Sequence, residues 1–233
     1  MSYSFGKSIV TDGLTFCVDA ANVLSCPSGA DLTDIVGGNV LSAVNGPTFN
    51  SGKGGYFIYD GVNDKHEETT GNLSGTNGSF EAWFYMQPTA SFRQSIFSAL
   101  TAGWSDRRFL INLENDEQLR FAVWTNNSAD TVAGNSLYST TTLTINQWYH
   151  VVCTYDSSAG QKIYIDGSLD CSSSTVLTGT LGTASTIDIG CRGISTSPDF
   201  LINGGVATCR AYNRALTADE IAQNYNALKN RFV

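Results

Sequence analysis

An all-β fold, a two-sheet antiparallel sandwich closed by one short C-terminal α-helix, is predicted by three observations on this sequence. Short segments that alternate apolar and polar residues recur along it, separated by turn residues. Charged residues make up only 15% of the chain and glycines number 23, which suits short strands and tight turns and is poor material for helices. A single strong helix signature occurs, near the C-terminus. A length of 233 residues is ordinary for one large sandwich and buries a core without staples, so residues 1–233 are read as one domain.

Residues 1–12 form an N-terminal arm. In Gly13-Leu-Thr-Phe-Cys-Val-Asp-Ala the side chains of Leu14, Phe16 and Val18 face one way, and Thr15, Cys17 and Asp19 the other. From about Asn22 to Gly55 the composition turns to Gly, Ser, Asn and Pro, a loop-rich stretch. Extended chain resumes at Tyr56–Asp60, and Asp60-Gly61 turns it. Ser79-Phe-Glu-Ala-Trp-Phe-Tyr-Met-Gln is a long aromatic strand closed by Pro88. Further strands are predicted at Gln94–Leu100, Phe109–Leu113 and Leu119–Thr125, the last two joined as a hairpin by Glu114-Asn-Asp-Glu-Gln. Trp148–Asp156 and Gln161–Gly167 form another hairpin, and Thr186–Gly190 and Gly205–Tyr212 are the last strands. Many short strands at close spacing make a sandwich of the jelly-roll kind.

The helix is predicted over 217–230. Thr217-Ala-Asp-Glu220 is a capping box, in which the Thr217 hydroxyl accepts from an N3 amide and Glu220 reaches back. Ile221, Tyr225 and Leu228 then make one apolar stripe, expected to pack on the sandwich and protect an edge.

Net charge is −8, and 13 scattered Lys and Arg make no phosphate-tracking stripe, which excludes nucleic acid as a partner. No apolar run approaches the roughly 18 residues of a membrane span. Met1-Ser-Tyr-Ser-Phe lacks the basic and apolar regions of a signal peptide, which predicts synthesis in a cytoplasm with reduced thiols. Of the six cysteines, Cys153 and Cys209 lie in strand contexts and read as small packed hydrophobes.

Several segments together resemble the laminin-G-like, concanavalin A-like jelly-roll family: Trp148-Tyr-His-Val-Val-Cys-Thr-Tyr-Asp with Ile163-Tyr-Ile-Asp-Gly, Gly13-Leu-Thr-Phe-Cys-Val-Asp-Ala-Ala-Asn, Asn45-Gly-Pro-Thr-Phe, Tyr59-Asp-Gly-Val-Asn-Asp and Arg210-Ala-Tyr-Asn-Arg-Ala-Leu-Thr-Ala-Asp-Glu-Ile. The opening Gly-Leu-x-Phe and the closing Tyr-Asn-Arg-Ala-Leu look most like the forms encoded by tailed phages, marine ones included. The sequence departs from the family at Cys26, where an aromatic residue is usual, and over most of Asp31–Leu41. That stretch is where features particular to this protein are expected.

The resemblance implies a non-enzymatic virion structural protein, a capsid decoration or a tail or fibre component. Its partners would be other virion proteins or itself as a homo-oligomer, and cell-surface or environmental glycans. A glycan-binding adhesion lectin is the alternative. A glycoside hydrolase is the second alternative, since retaining enzymes need two carboxyls about 5 Å apart. Glu114-Asn-Asp116-Glu117 begins such a pattern, but Gln118 breaks it and the segment reads as a polar hairpin tip. His66, in Lys-His-Glu-Glu, reads as part of a solvated strand, and His150 as a packed or edge residue. No cofactor is required. Asp60, Asn63 and Asp64 offer oxygen ligands to calcium on a turn, although turn chemistry alone accounts for them. For ligand binding the candidates are Trp104, in a loop, with Arg107 and Arg108 beside it to grip a carboxylate. Trp83 and Trp148 are assigned to the core.

Overall fold

The computed structural model describes residues 8–69, 73, 75–88, 93–100, 107–125, 135–177, 181, 184, 186–193 and 199–233. Among these residues sixteen strands precede one α-helix: β1 (Leu14–Asp19), β2 (Leu32–Thr33), β3 (Val40–Val44), β4 (Thr48–Asn50), β5 (Tyr56–Asp60), β6 (Lys65–Glu68), β7 (Gly78–Met86), β8 (Gln94–Leu100), β9 (Arg107–Leu113), β10 (Gln118–Val123), β11 (Ser136–Thr142), β12 (Trp148–Asp156), β13 (Gly160–Ile165), β14 (Ser168–Ser173), β15 (Thr186–Ile189), β16 (Asn203–Tyr212) and α1 (Ala218–Phe232). The first sheet runs β14-β13-β12-β7-β16-β5-β4, with β1 also on β16; the second runs β11-β10-β9-β8-β15-β6-β3-β2. The ladders are antiparallel.

Alternation decides what each strand buries. In β7, Phe80, Ala82, Phe84 and Met86 enter the core between the sheets, beside Phe97, Phe109, Ile111 and Phe121 of the second sheet. Phe80 stacks on Phe109 with ring centroids 3.6 Å apart. Cys153 and Cys209 are fully buried in the same core, and all six cysteines are free thiols. Such burial of apolar area is the main stabilising term.

The other face of β7 carries Glu81, Trp83 and Tyr85, and α1 lies on it. Trp83 stacks on Phe232 at 4.3 Å and on Tyr225 at 5.7 Å. The predicted capping box is formed: the Thr217 hydroxyl accepts from the Glu220 amide, and the Thr217 amide donates to the Glu220 carboxylate. Beneath the helix Arg210 donates to Glu81 at 2.6 Å, and Asn224 donates to Glu81 at 2.7 Å and to the Tyr212 hydroxyl at 2.9 Å. The Val10 amide donates to Asn224, which ties residues ahead of β1 to the helix. Burial alone would push the Glu81 carboxyl up; Arg210, then His150 and Asn224, outweigh it and hold it at about 2.

Four readings of the sequence change. The stretch from Asn22 to Gly55 holds β2, β3 and β4. These are short strands on the margins of the sheets, and pairing with neighbours rather than their own composition makes them extended. β11 and β14 are rich in Ser and Thr, and their Gly-free polar sequences carry little alternation. They are the edge strands of the two sheets, and Asp170 joins them by accepting from the amides of Thr140 and Thr141 and the Thr141 hydroxyl. Leu14 packs on the helix side with Tyr212, Leu216 and Ile221, opposite to Phe16 and Val18, because a bulge between Leu14 and Phe16 shifts the register. β6 is not solvated: it lies between β15 and β3 and His66 is fully buried. The His66 ring bonds the Tyr59 hydroxyl and the Ala30 carbonyl, each at 2.9 Å, and burial pulls its pKa down to about 4.

Candidate functional site

The outer face of the second sheet is built from the residues that alternate with its core positions. Register places Glu67, Asp188, Ser98, Leu110, Ala122 and Ser136 in one row across β6, β15, β8, β9, β10 and β11. A second row holds Ser95, Asn112, Arg120 and Tyr138. Among the described residues the only α-helix, α1, packs on β12 and β14 of the opposite sheet.

Leu110, Ala122 and Trp124 form a small buried apolar floor, and Phe200 packs against it. Phe200 has φ 55°, and its carbonyl accepts from the Ser95 amide. Two guanidiniums lie over its ring, Arg192 at 4.0 Å and Arg93 at 5.3 Å. Each is tethered by a carboxylate: Arg192 by Asp199 through Nε at 2.6 Å, and Arg93 by Glu114 through Nε at 2.6 Å. Asn112 donates to the other Glu114 oxygen at 3.0 Å. Arg120 donates through Nε and Nη2 to the Ser136 hydroxyl, while its Nη1 lies 3.9 Å from Glu114. The side chains are part-exposed, 33% for Arg93, 15% for Arg120, 14% for Arg192 and 9% for Glu114. Burial, with Arg93 and Arg192 alongside, lowers the pKa of Arg120. In the same row the Ser95 hydroxyl and the Asn112 carbonyl oxygen are buried without a hydrogen-bond partner among the described residues.

Toward β6, Asp188 is completely buried, because the chain folds back over it: a Cβ on Gly193 would collide with its carboxylate. Its Oδ1 lies 3.9 Å from the Cys191 sulfur and its Oδ2 has no partner. Desolvation, opposed by Lys65 and reinforced by Glu67, pushes the carboxyl up to about 7.

Trp104 lies outside the described residues. Arg107 and Arg108 belong to β9 by backbone, and their side chains lie outside the described residues. The Asp60 carboxylate accepts from the amides of Val62 and Asn63, and Asp64 accepts from the Asp60 amide. This is a side-chain-stabilised turn, and by itself it falls short of the roughly six to eight oxygens that calcium takes. Glu114, Asp116 and Glu117 make the β9–β10 turn, where Glu117 has φ 58°. Trp83 is core, as expected, and Trp148 is half-buried in an aromatic cluster with Tyr56, Tyr85 and Phe232. The residues that sequence reasoning missed are Arg93, Asn112, Arg120, Asp188, Arg192 and Phe200. Arg120 and Asp188 carried a signal, a charge at an alternating position within an apolar strand; the others come together only in the fold.

A family model described as the concanavalin A-like lectin/glucanases superfamily (Laminin_G_3) matches residues 60–222. Among curated proteins none matches. A Trypanosoma rangeli sialidase, solved in complex with a difluorinated nononic acid derivative, superposes with a TM-score of 0.69 at 16% identity, covering 100% of this chain and 35% of that one. A botulinum neurotoxin type C structure, whose description concerns cell entry dependent on two ganglioside molecules, gives 0.70 at 16% identity, covering 93% and 51%. The type G receptor binding domain gives 0.62 at 17%, covering 92% and 51%. This chain thus spans about a third of the sialidase and half of the toxin chains, and at these identities the likeness shows the fold alone.

Proposed function

The chain belongs to the concanavalin A-like lectin/glucanase superfamily, and from that premise we propose that it is a non-catalytic glycan-binding module whose binding face is the outer face of the second sheet. The observation that carries this reading is the group of part-exposed arginines, Arg93, Arg120 and Arg192, around Phe200 on a face that no helix covers among the described residues. Sugars are bound by a few fixed polar groups beside an apolar surface, and tethered guanidiniums supply such groups at low entropic cost. Gangliosides and a sialic-acid-like ligand in the descriptions of the structural neighbours support sugars as the ligand class. Glu114 is engaged by Arg93 and Asn112, which suits an orienting carboxylate rather than a proton donor. A glycan array run with calcium and again with a chelator tests the reading. Binding in both arms supports it. Binding only with calcium moves the site to the Asp60–Asp64 turn, and no binding overturns the reading.

A second reading, a virion component working through protein contacts or self-assembly, draws on the phage-like opening and closing segments and on one structural observation. Val23 and Leu24, 72% and 73% exposed, lie just ahead of Cys26, and the exposed Ile35, Val36 and Val40 lie within the Asp31–Leu41 stretch that departs from the family, so together they present aliphatic surface there. The mass in solution tests it: a closed oligomer supports this role, and a monomer at high concentration counts against it.

A further inference from the structure

We infer that this face takes an acidic sugar, its carboxylate or sulfate oxyanion held by Arg93 and Arg120 with Arg192 alongside. The inference rests on the glycan-binding reading and names its ligand class. The chain as a whole carries −8, a field that repels anions. At this end of the face, among the described residues, two guanidiniums, Arg93 and Arg120, approach the single carboxylate of Glu114. Like charges held this close repel one another, and an arriving anion relieves that repulsion.

The donors are set out for it. Among the described residues the terminal nitrogens of Arg93 have no hydrogen-bond partner, and Arg120 Nη1 reaches Glu114 only at 3.9 Å. These are planar forks of the shape that matches an oxyanion. Phe200 holds the Arg93 and Arg192 planes by cation–π contact. It is itself fixed by the Leu110–Trp124 floor and by the Ser95 amide. A sugar suits the site better than a bare anion, because the partly exposed Phe200 ring sets apolar surface beside the guanidiniums, the pairing by which sugar rings are held.

The experiment is calorimetric titration of the full chain with lactose, sialyllactose, sulfolactose and a galacturonate trisaccharide, at low and at high salt. Acidic sugars are expected to bind about 10- to 100-fold more tightly than lactose, the range of one or two charge-assisted hydrogen bonds. The gap is expected to narrow with salt. The sialyl, sulfo and uronate arms tell which oxyanion is preferred. Arg93→Gln and Arg120→Gln should each remove most of the gap while the melting temperature holds, and Arg120→Lys should restore only part, because the charge returns without the fork. Phe200→Ala should weaken acidic sugars, with recovery in Phe200→Tyr. Equal binding of lactose and the acidic sugars overturns this inference and leaves the glycan-binding reading standing; binding of none overturns both.

Discussion

Arg210 and Glu81 meet at 2.6 Å on the outer face of the first sheet, and Arg93 and Glu114 meet at the same 2.6 Å on the outer face of the second. The side chains of the first pair are 2% and 0% exposed beneath α1; those of the second are 33% and 9% exposed. Length and partner type are alike, and the cover differs. Under the helix, desolvation makes every unpaired charge costly, so the Arg210 pair is closed by His150, Asn224 and Asp19 and serves to fix the helix. At Arg93, which no described helix covers, water shares the cost, the pair contributes little to stability, and the terminal nitrogens of Arg93 stay available to a ligand.

The largest effect that can break this comparison is expected at Glu81. Glu81→Ala leaves Arg210 and Asn224 buried without their acceptor and should cost about 3–5 kcal/mol in urea unfolding. Glu114→Gln on the open face should cost about 1 kcal/mol or less in the same assay. Equal losses would mean that helix cover is not what separates the two faces.

The next effect is a dependence on pH. Burial raises the folded-state pKa of Asp188 to about 7, whereas an unfolded Asp titrates near ~3.9. Between those values the folded state binds more protons, so this group's contribution falls as pH rises from about 4 to 7 and then levels off, a change on the order of a few kcal/mol. Glu81 runs the other way: held at about 2, it stabilises the fold above an unfolded Glu value near ~4.3, and that contribution is lost as pH falls toward 2. Denaturant titrations of Asp188→Asn should lack the loss between pH 4 and 7 that the parent chain shows; identical profiles would remove Asp188 from the account.

A smaller effect sharpens the comparison at the helix itself. Thr217→Ala removes the acceptor for the Glu220 amide and should lower stability by about 1 kcal/mol, read from the urea midpoint. Smallest of all, Arg93→Gln should change stability by less than about 0.5 kcal/mol while it removes most of the preference for acidic sugars over lactose. A large destabilisation there would make the open pair a structural one.

Legibility in the sequence followed the strength of local pattern. β5, β8 and β12 fall where alternation and turn residues put them, and α1 begins at its capping box. β2, β4, β11 and β14 were missed because short polar edge strands gain their extended form from a neighbour, not from their own side chains. β6 reads as charged and therefore solvated, yet its place between β15 and β3 buries His66, which Tyr59 and Ala30 then satisfy. For the site, Arg120 was legible as an outward charge in an apolar strand. Its company was not, since Arg93, Arg192 and Phe200 come from connections far apart in the chain.

The sequence by itself determined the fold class, the principal strands and the C-terminal helix, because alternation, turn chemistry and capping act within a few residues and need no distant partner. Tertiary structure alone decided which sheet the helix covers, and with it which Arg–Glu pair is sealed and which stays open. That choice depends on long-range packing of Trp83 against Phe232 and of Asn224 against Glu81, contacts between segments about 140 residues apart in the chain, which no local pattern encodes.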